Sequence, residues 1–148
     1  MYKHILLATG GAEHSRIAET RAVALAKLFS ARLSLISVAR FSLPASTVGV
    51  GLDMGMPVSY ETNLEELKKS QEDTMQQAVS RCEALGIHPE AYLAVGNAGE
   101  CIVEKARDLG CDLTIVGSRK MSLLDTVVRG SVSDYVMRHS EMDVLIVH

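Results

Sequence analysis

The stretch GSRKMSLLDTVVRGSVS, residues 117–133, carries residue types suited to holding phosphate. Gly117 closes the apolar run LTIV, so the backbone can turn sharply there and approach a ligand closely. Gly130 and Ser131 open the helical pattern SVSDYVMRHS. The first amides of such a helix are unpaired and stand at the positive end of its dipole, which favours an anion. Ser131 and Ser133 can add hydroxyl hydrogen bonds, and Arg119, Lys120 and Arg129 place cations in the same loop. From spacing alone, an ordinary strand–loop–helix with Ser131 as its N-cap fits equally well.

Other chemistries find less support. The histidines, His4, His14, His88, His139 and His148, show no metal-ligand spacing. His14 and Ser15 are adjacent at a helix start and do not face each other as base and nucleophile would. No G-x-S-x-G elbow, no G-x-G-x-x-G fingerprint and no G-x-x-x-x-G-K-[ST] loop is present. No residue suited to activating water is found, so nucleotide hydrolysis is expected to be slow at most, and no catalytic residue is assigned.

The elements that must position the 117–133 loop follow from the apolar pattern. HILLAT (4–9), RLSLISVA (32–39), HPEAYLAV (88–95), DLTIVGS (112–118) and MDVLIVH (142–148) read as strands. Pro89 marks the third as an edge strand or a strand start. Between them lie four helical patterns. In the first, 13–31, the apolar spacing selects Ile17, Thr20 or Arg21, Ala24, Leu25 and Leu28 as the core face. In the second, 62–86, the stripe is Leu64, Leu67, Gln71, Met75, Ala78, Val79, Cys82 and Leu85, with Thr62 or Asn63 as N-cap and Gly86 as the stop. The third, 98–110, stops at Gly110, and the fourth opens at 130–131. Residues 41–60 form an irregular loop broken by glycine and proline.

Strand and helix therefore alternate along the chain. The expected fold class is α/β: a five-stranded, mostly parallel, doubly wound sheet flanked by helices on both faces, Rossmann-like, in one domain spanning 1–148. Ligands of such sheets bind beyond the carboxyl ends of the strands, where strand order reverses. That directs attention to residues 9–14, the chain from Ala39 onward, and 117–131.

Composition narrows the partners. The 148 residues are 47% hydrophobic and 22% charged, an ordinary globular balance, with a net charge of −3. A basic stripe for nucleic acid is not expected. No run approaches the ~20 apolar residues of a membrane span, and the apolar start is too short for a signal peptide. Three cysteines without a C-x-x-C pair read as free thiols in a reducing cytoplasm.

Four blocks carry a resemblance over nearly the whole chain: KHILLAT, the stretch from Ala22 through ARLSLISV, GNAGECIVEKARDLGCDLTIVGS and RGSVSDYVMRHSEMDVLIV. Together the sequence resembles the universal stress protein family, whose fold is of the adenine nucleotide alpha hydrolase type. Nucleotide-binding members carry a glycine, two residues, a second glycine, nine residues, then Gly-Ser or Gly-Thr. Here Gly117 matches the first glycine, Lys120 stands in place of the second, and Gly130-Ser131 close the frame. The members' aspartate at the end of the first strand is matched to Thr9, which lacks the charge and reach of a carboxylate.

The resemblance implies a stress-response protein that binds ATP or a related adenine nucleotide, with Mg²⁺ or Mn²⁺ on the phosphates. Gly117, Lys120, Gly130, Ser131, Val132 and Ser133 would hold phosphate and ribose, and Thr9, Val38 and Ala39 the adenosine, with Val116 and Val132 lining the pocket. It also implies a homodimer formed through the terminal strand, 143–148. The alternative is a dimeric interaction module of the same family that binds no nucleotide, which the changes at Thr9 and Lys120 would suit. If the second glycine serves a left-handed conformation, lysine there costs roughly 1–2 kcal/mol. The lysine side chain would then either fill the space meant for a phosphate or set its ammonium beside the polyphosphate and offset that cost, and the sequence leaves both open.

Overall fold

The computed structural model describes residues 1–11, 13–40, 58–118 and 132–148, without the side chains of 13, 14 and 58–63. Its elements run β1 (His4–Ala8), α1 (Glu13–Phe29), β2 (Arg32–Ala39), α2 (Val58–Ala84), β3 (Glu90–Val95), α3 (Ala98–Asp108), β4 (Leu113–Gly117), α4 (Val132–His139) and β5 (Asp143–Val147). All strand pairs are parallel, in the order β3-β2-β1-β4-β5. This is the expected α/β class, with every pair parallel rather than most of them.

The central strands β1 and β4 are nearly continuous apolar runs because both of their faces are covered. Side chains alternate between the two sides. Ile5, Leu7, Leu33, Leu35, Leu113 and Ile115 meet α1 and α2, through Ala18, Ala22, Val23, Met75 and Cys82. Leu6, Ile36 and Val116 meet α3 and α4, through Ile102, Val103, Ala106 and Val136. The sheet is therefore wound on both sides. β3 lies at an edge and begins directly after Pro89, as that proline suggested.

Helix ends follow local chemistry. Asn97 caps α3 by accepting the Glu100 amide at 3.1 Å. After α2, Gly86 turns at φ 87° and the Ile87 amide reaches back to the Cys82 carbonyl at 3.1 Å. After α3, Gly110 turns at φ 63° and the Cys111 amide donates to Ala106 O at 2.9 Å. α1 ends by the same backbone route, Ala31 N to Ala26 O at 2.8 Å, with Ser30 at φ 52° where glycine is usual.

Two readings of the sequence are corrected. The core face of α1 is Ser15, Ala18, Glu19, Ala22, Val23 and Ala26, whereas Ile17 is 44% and Leu28 73% exposed. Small residues let the helix lie close on the sheet, with Leu25 and Phe29 packed at the margin of the core; of the expected face only Leu25 packs on it. α2 starts at Val58, so Thr62 and Asn63 lie within it and not at its N-terminus. A capping side chain is worth about 1 kcal/mol and does not stop a helix that its preceding residues can extend, here with Pro57 just ahead of them.

Close packing of α3 on α4 depends on Gly99. A Cβ there would stand 2.6 Å from Cδ1 and 2.7 Å from Cγ of Tyr135. Gly99→Ala is expected to destabilise the fold by about 1–3 kcal/mol, read as a lower urea midpoint with an unchanged slope.

Burial pushes the Cys82 and Cys111 thiols up from 9.0 to about 11. The folded chain holds these protons while the unfolded chain releases them. Their contribution to stability is thus complete below pH 9 and is lost as pH rises towards 11. The urea midpoint should fall over that window, and less steeply when both cysteines are alanine.

Candidate functional site

The strand order reverses at β1 and β4. From β1 the chain moves outward through β2 to β3, then crosses back to β4 on the other side and continues to β5. The carboxyl ends of β1 and β4 thus open a crevice between crossovers that leave in opposite directions. Ala8 and Val116 are register partners at its floor.

The β1–α1 turn forms one wall. The Thr9 amide continues the β1–β2 ladder, donating to Ile36 O at 2.9 Å. The Gly10 amide donates to the buried Ser15 Oγ at 3.3 Å, folding the turn onto the first turn of α1. Gly11, at φ 77°, packs against α2 so closely that a Cβ would lie 2.6 Å from Thr74 Cγ2. Gly10 itself is exposed, with no atom of the described residues within 4 Å of where a Cβ would stand, so they leave the wall open at that point.

Thr9 is nine-tenths buried, and its hydroxyl points inward. It donates to Glu19 Oε1 at 2.8 Å. Glu19, on α1, is 2% exposed and also accepts from Arg81 of α2, Nε to Oε2 at 2.7 Å and Nη2 to Oε1 at 3.0 Å. The hydrogen bonds that Arg81 donates to Glu19, and the charge of that carboxylate, raise the Arg81 pKa, against a smaller opposing effect of burial. One carboxylate therefore ties together the end of β1, α1 and α2.

α2 is fastened to the other strands by Gln71. Its Nε2 donates to Ser37 O at 2.8 Å and to Ala94 O at 2.9 Å. Ala39, at the end of β2, is buried, and its carbonyl accepts the Gly96 amide at 2.9 Å. Val38 is half-buried in the layer beneath α3 and α4, and Val116 is closed to solvent in the same layer. Gly117 ends β4, and the Ser118 amide extends the pairing to Val147 O at 2.7 Å. Val132 opens α4 and Ser133, in its first turn, is buried.

Of the expected site residues, Thr9, Val38, Ala39, Val116 and Gly117 thus sit at the carboxyl ends of three strands, and Val132 and Ser133 start the helix that follows β4. Lys120, Gly130 and Ser131 lie outside the described residues. Among the described residues no group of three His, Cys, Asp or Glu side chains could hold a metal ion.

Sequence reading missed Glu19, Arg81 and the role of Gln71. Glu19 had a signal: it falls in phase with Ser15, Ala18, Ala22, Val23 and Ala26, an acid inside the small-residue stripe of α1. Its partner, 62 residues away, left no trace in local spacing.

Comparison with known proteins defines the class of this fold and crevice. The universal stress protein family profile matches residues 1–148, and this chain belongs to that family. It is 31% identical over 148 residues to universal stress protein YxiE of Bacillus subtilis, covering 99% of each chain. It is 28% identical to universal stress protein MJ0531 of Methanocaldococcus jannaschii, over 99% of this chain and 82% of the relative. Among solved structures, hypothetical protein MJ0577 superposes with a TM-score of 0.77 at 28% identity, over 99% of this chain and 96% of that one. A universal stress protein solved in complex with cAMP superposes with a TM-score of 0.71 at 26% identity, over 99% and 97%.

Arg81→Ala leaves the Glu19 carboxylate buried without its cation. The expected loss of stability is about 3 kcal/mol, at the lower end for a broken buried pair because Arg81 is 32% exposed. Chemical denaturation measures it, and Arg81→Lys should recover part of the loss.

Proposed function

We propose that this chain is a stress-response regulatory protein that binds ATP or a related adenine nucleotide in the crevice between β1 and β4. The observation that carries the reading is the reversal of strand order at that crevice, where the Gly117 end of β4 meets the open wall at Gly10. The Gly117…Gly130-Ser131 frame supports it from the sequence, and the cAMP complex of a 26% identical relative supports the ligand class.

The phosphates would lie over the loop from Gly117 to Ser131, against Lys120 and the amides that open α4, with Val132 and Ser133 beneath. The adenosine would lie over Thr9, Val38 and Ala39, with Val116 in the layer below. Thr9 fits its part in a limited way. Its hydroxyl proton is committed to Glu19, so towards a ligand it can only accept. Mg²⁺ or Mn²⁺ would arrive with the phosphates, since the described residues offer no cluster of protein ligands for it. The chain would bind nucleotide and turn it over slowly if at all, since none of Thr9, Val38, Ala39, Val116, Gly117, Val132 and Ser133 can act as a general base towards water.

The second reading, a dimeric interaction module without nucleotide, draws on the same Thr9 geometry and on lysine at 120. Equilibrium dialysis of the stripped chain against ATP and cAMP decides between them. The first reading expects saturable uptake, and the second none at any physiological concentration. Lys120→Gly is the informative variant. It should weaken ATP more than adenosine if the ammonium holds phosphate, and create binding if the side chain obstructs. Thr9→Asp is a poor probe because a second carboxylate would sit against buried Glu19.

A cytoplasmic homodimer through 143–148 completes the proposal. β5 pairs only with β4 among the described residues, and Val144, Leu145 and Ile146 are half-buried along that edge. No described helix is long and apolar enough to cross a membrane. Sedimentation should give a mass of twice 16.0 kDa, and Ile146→Pro, which removes an amide on the free edge of β5 and leaves the β4 ladder intact, should return it to 16.0 kDa.

A further inference from the structure

A groove of about 270 Å³ lies between α1 and α2. Cys82, Ala84 and Leu85 give it an apolar wall, and Arg16, Glu19 and Arg81 a charged one. Two arginines and one glutamate thus line the groove, a net positive charge on a chain whose total is −3. Arg16 makes no ion pair among the described residues. Arg81 gives Glu19 its Nε and one Nη2 hydrogen, and its side chain is about one-third exposed, so donors remain for a second acceptor. Leu85 is 43% exposed beside them and gains by being covered.

We propose that this groove is a second ligand site, for a small carboxylate bearing a short apolar tail. The planar fork of an arginine matches a carboxylate better than a spherical anion. The apolar wall selects against a fully hydrated ion such as phosphate. The volume lies just below the range of drug-sized pockets and suits a ligand of a few carbons.

The site is coupled to the crevice through one atom. Glu19 Oε1 accepts both Arg81 Nη2, at 3.0 Å, and Thr9 Oγ1, at 2.8 Å. A carboxylate that draws Arg81 towards the groove alters the acceptor that holds Thr9 at the end of β1. Two separate sites then share a hydrogen-bonded element whose arrangement each can bias. The existence of the groove site is independent of the nucleotide reading, and the consequence of the coupling for nucleotide affinity rests on it.

The test uses the full ¹⁵N-labelled chain without nucleotide, titrated with sodium hexanoate and followed by amide spectra, with matched sodium chloride, phosphate and hexanol as controls. Hexanoate should move the Cys82, Leu85, Thr9 and Gly10 amides with one shared midpoint, at a Kd of roughly 1–10 mM. Arg16→Ala, an exposed change, should weaken that midpoint about tenfold, the effect of losing one charge-assisted contact. Absence of saturable shifts at Leu85, equal binding of hexanol, or an unchanged midpoint in Arg16→Ala would overturn the site. Saturation at Leu85 with Thr9 and Gly10 unmoved would overturn the coupling. Nucleotide is absent throughout, so a failed nucleotide titration and a failed hexanoate titration are separate results.

Discussion

Strand β1 lies in the middle of the sheet, hydrogen-bonded to β2 on one side and to β4 on the other. Both of its faces must then be covered, which is why Ile5 and Leu7 meet α1 and α2 while Leu6 meets α3 and α4. The same position forces the crossovers on its two flanks to leave in opposite directions, and the gap between them is the crevice. A parallel sheet needs such long connections, so core and site are two consequences of one topology.

The crevice wall at the end of β1 is held from below. A buried carboxylate is costly unless it is paired and hydrogen-bonded, and Glu19 has both an arginine and a hydroxyl. α2 reaches the same end of the sheet again through Thr74 on Gly11 and Gln71 on the Ser37 and Ala94 carbonyls. A long, largely polar helix thereby sets the positions of three strand ends. Thr9 belongs to this support as much as to the crevice, and its side chain faces α1 because residues 5, 7 and 9 share one face of the strand.

Much of the fold was legible because strands buried on both faces leave unbroken apolar runs, and glycines at 86 and 110 mark helix stops through their left-handed turns. Pro89 likewise announced an edge strand. The face of α1 was not legible from hydrophobicity. Ile17 and Leu28 are exposed although both are large and apolar, whereas the centre of the buried face is mostly alanine, which allows close approach to the sheet, so hydrophobicity alone does not pick out that face. The site was legible as a loop frame and a family resemblance, carried by consecutive residues. Its support was not, because Thr9, Glu19 and Arg81 come from three elements, and only folding brings the last within 3 Å of the second.

The central claim is that the carboxyl ends of β1, β2 and β4 together form an adenine nucleotide site. Amide spectra recorded during an ATP titration test it most directly, because they report where a ligand lies as well as whether it binds. The account predicts saturable shifts concentrated at Gly10, Ala39, Gly117 and Ser133, with the opposite ends of the strands, around Lys3 and Asp112, unmoved. Saturable shifts centred away from those strand ends, or none at all, would contradict it.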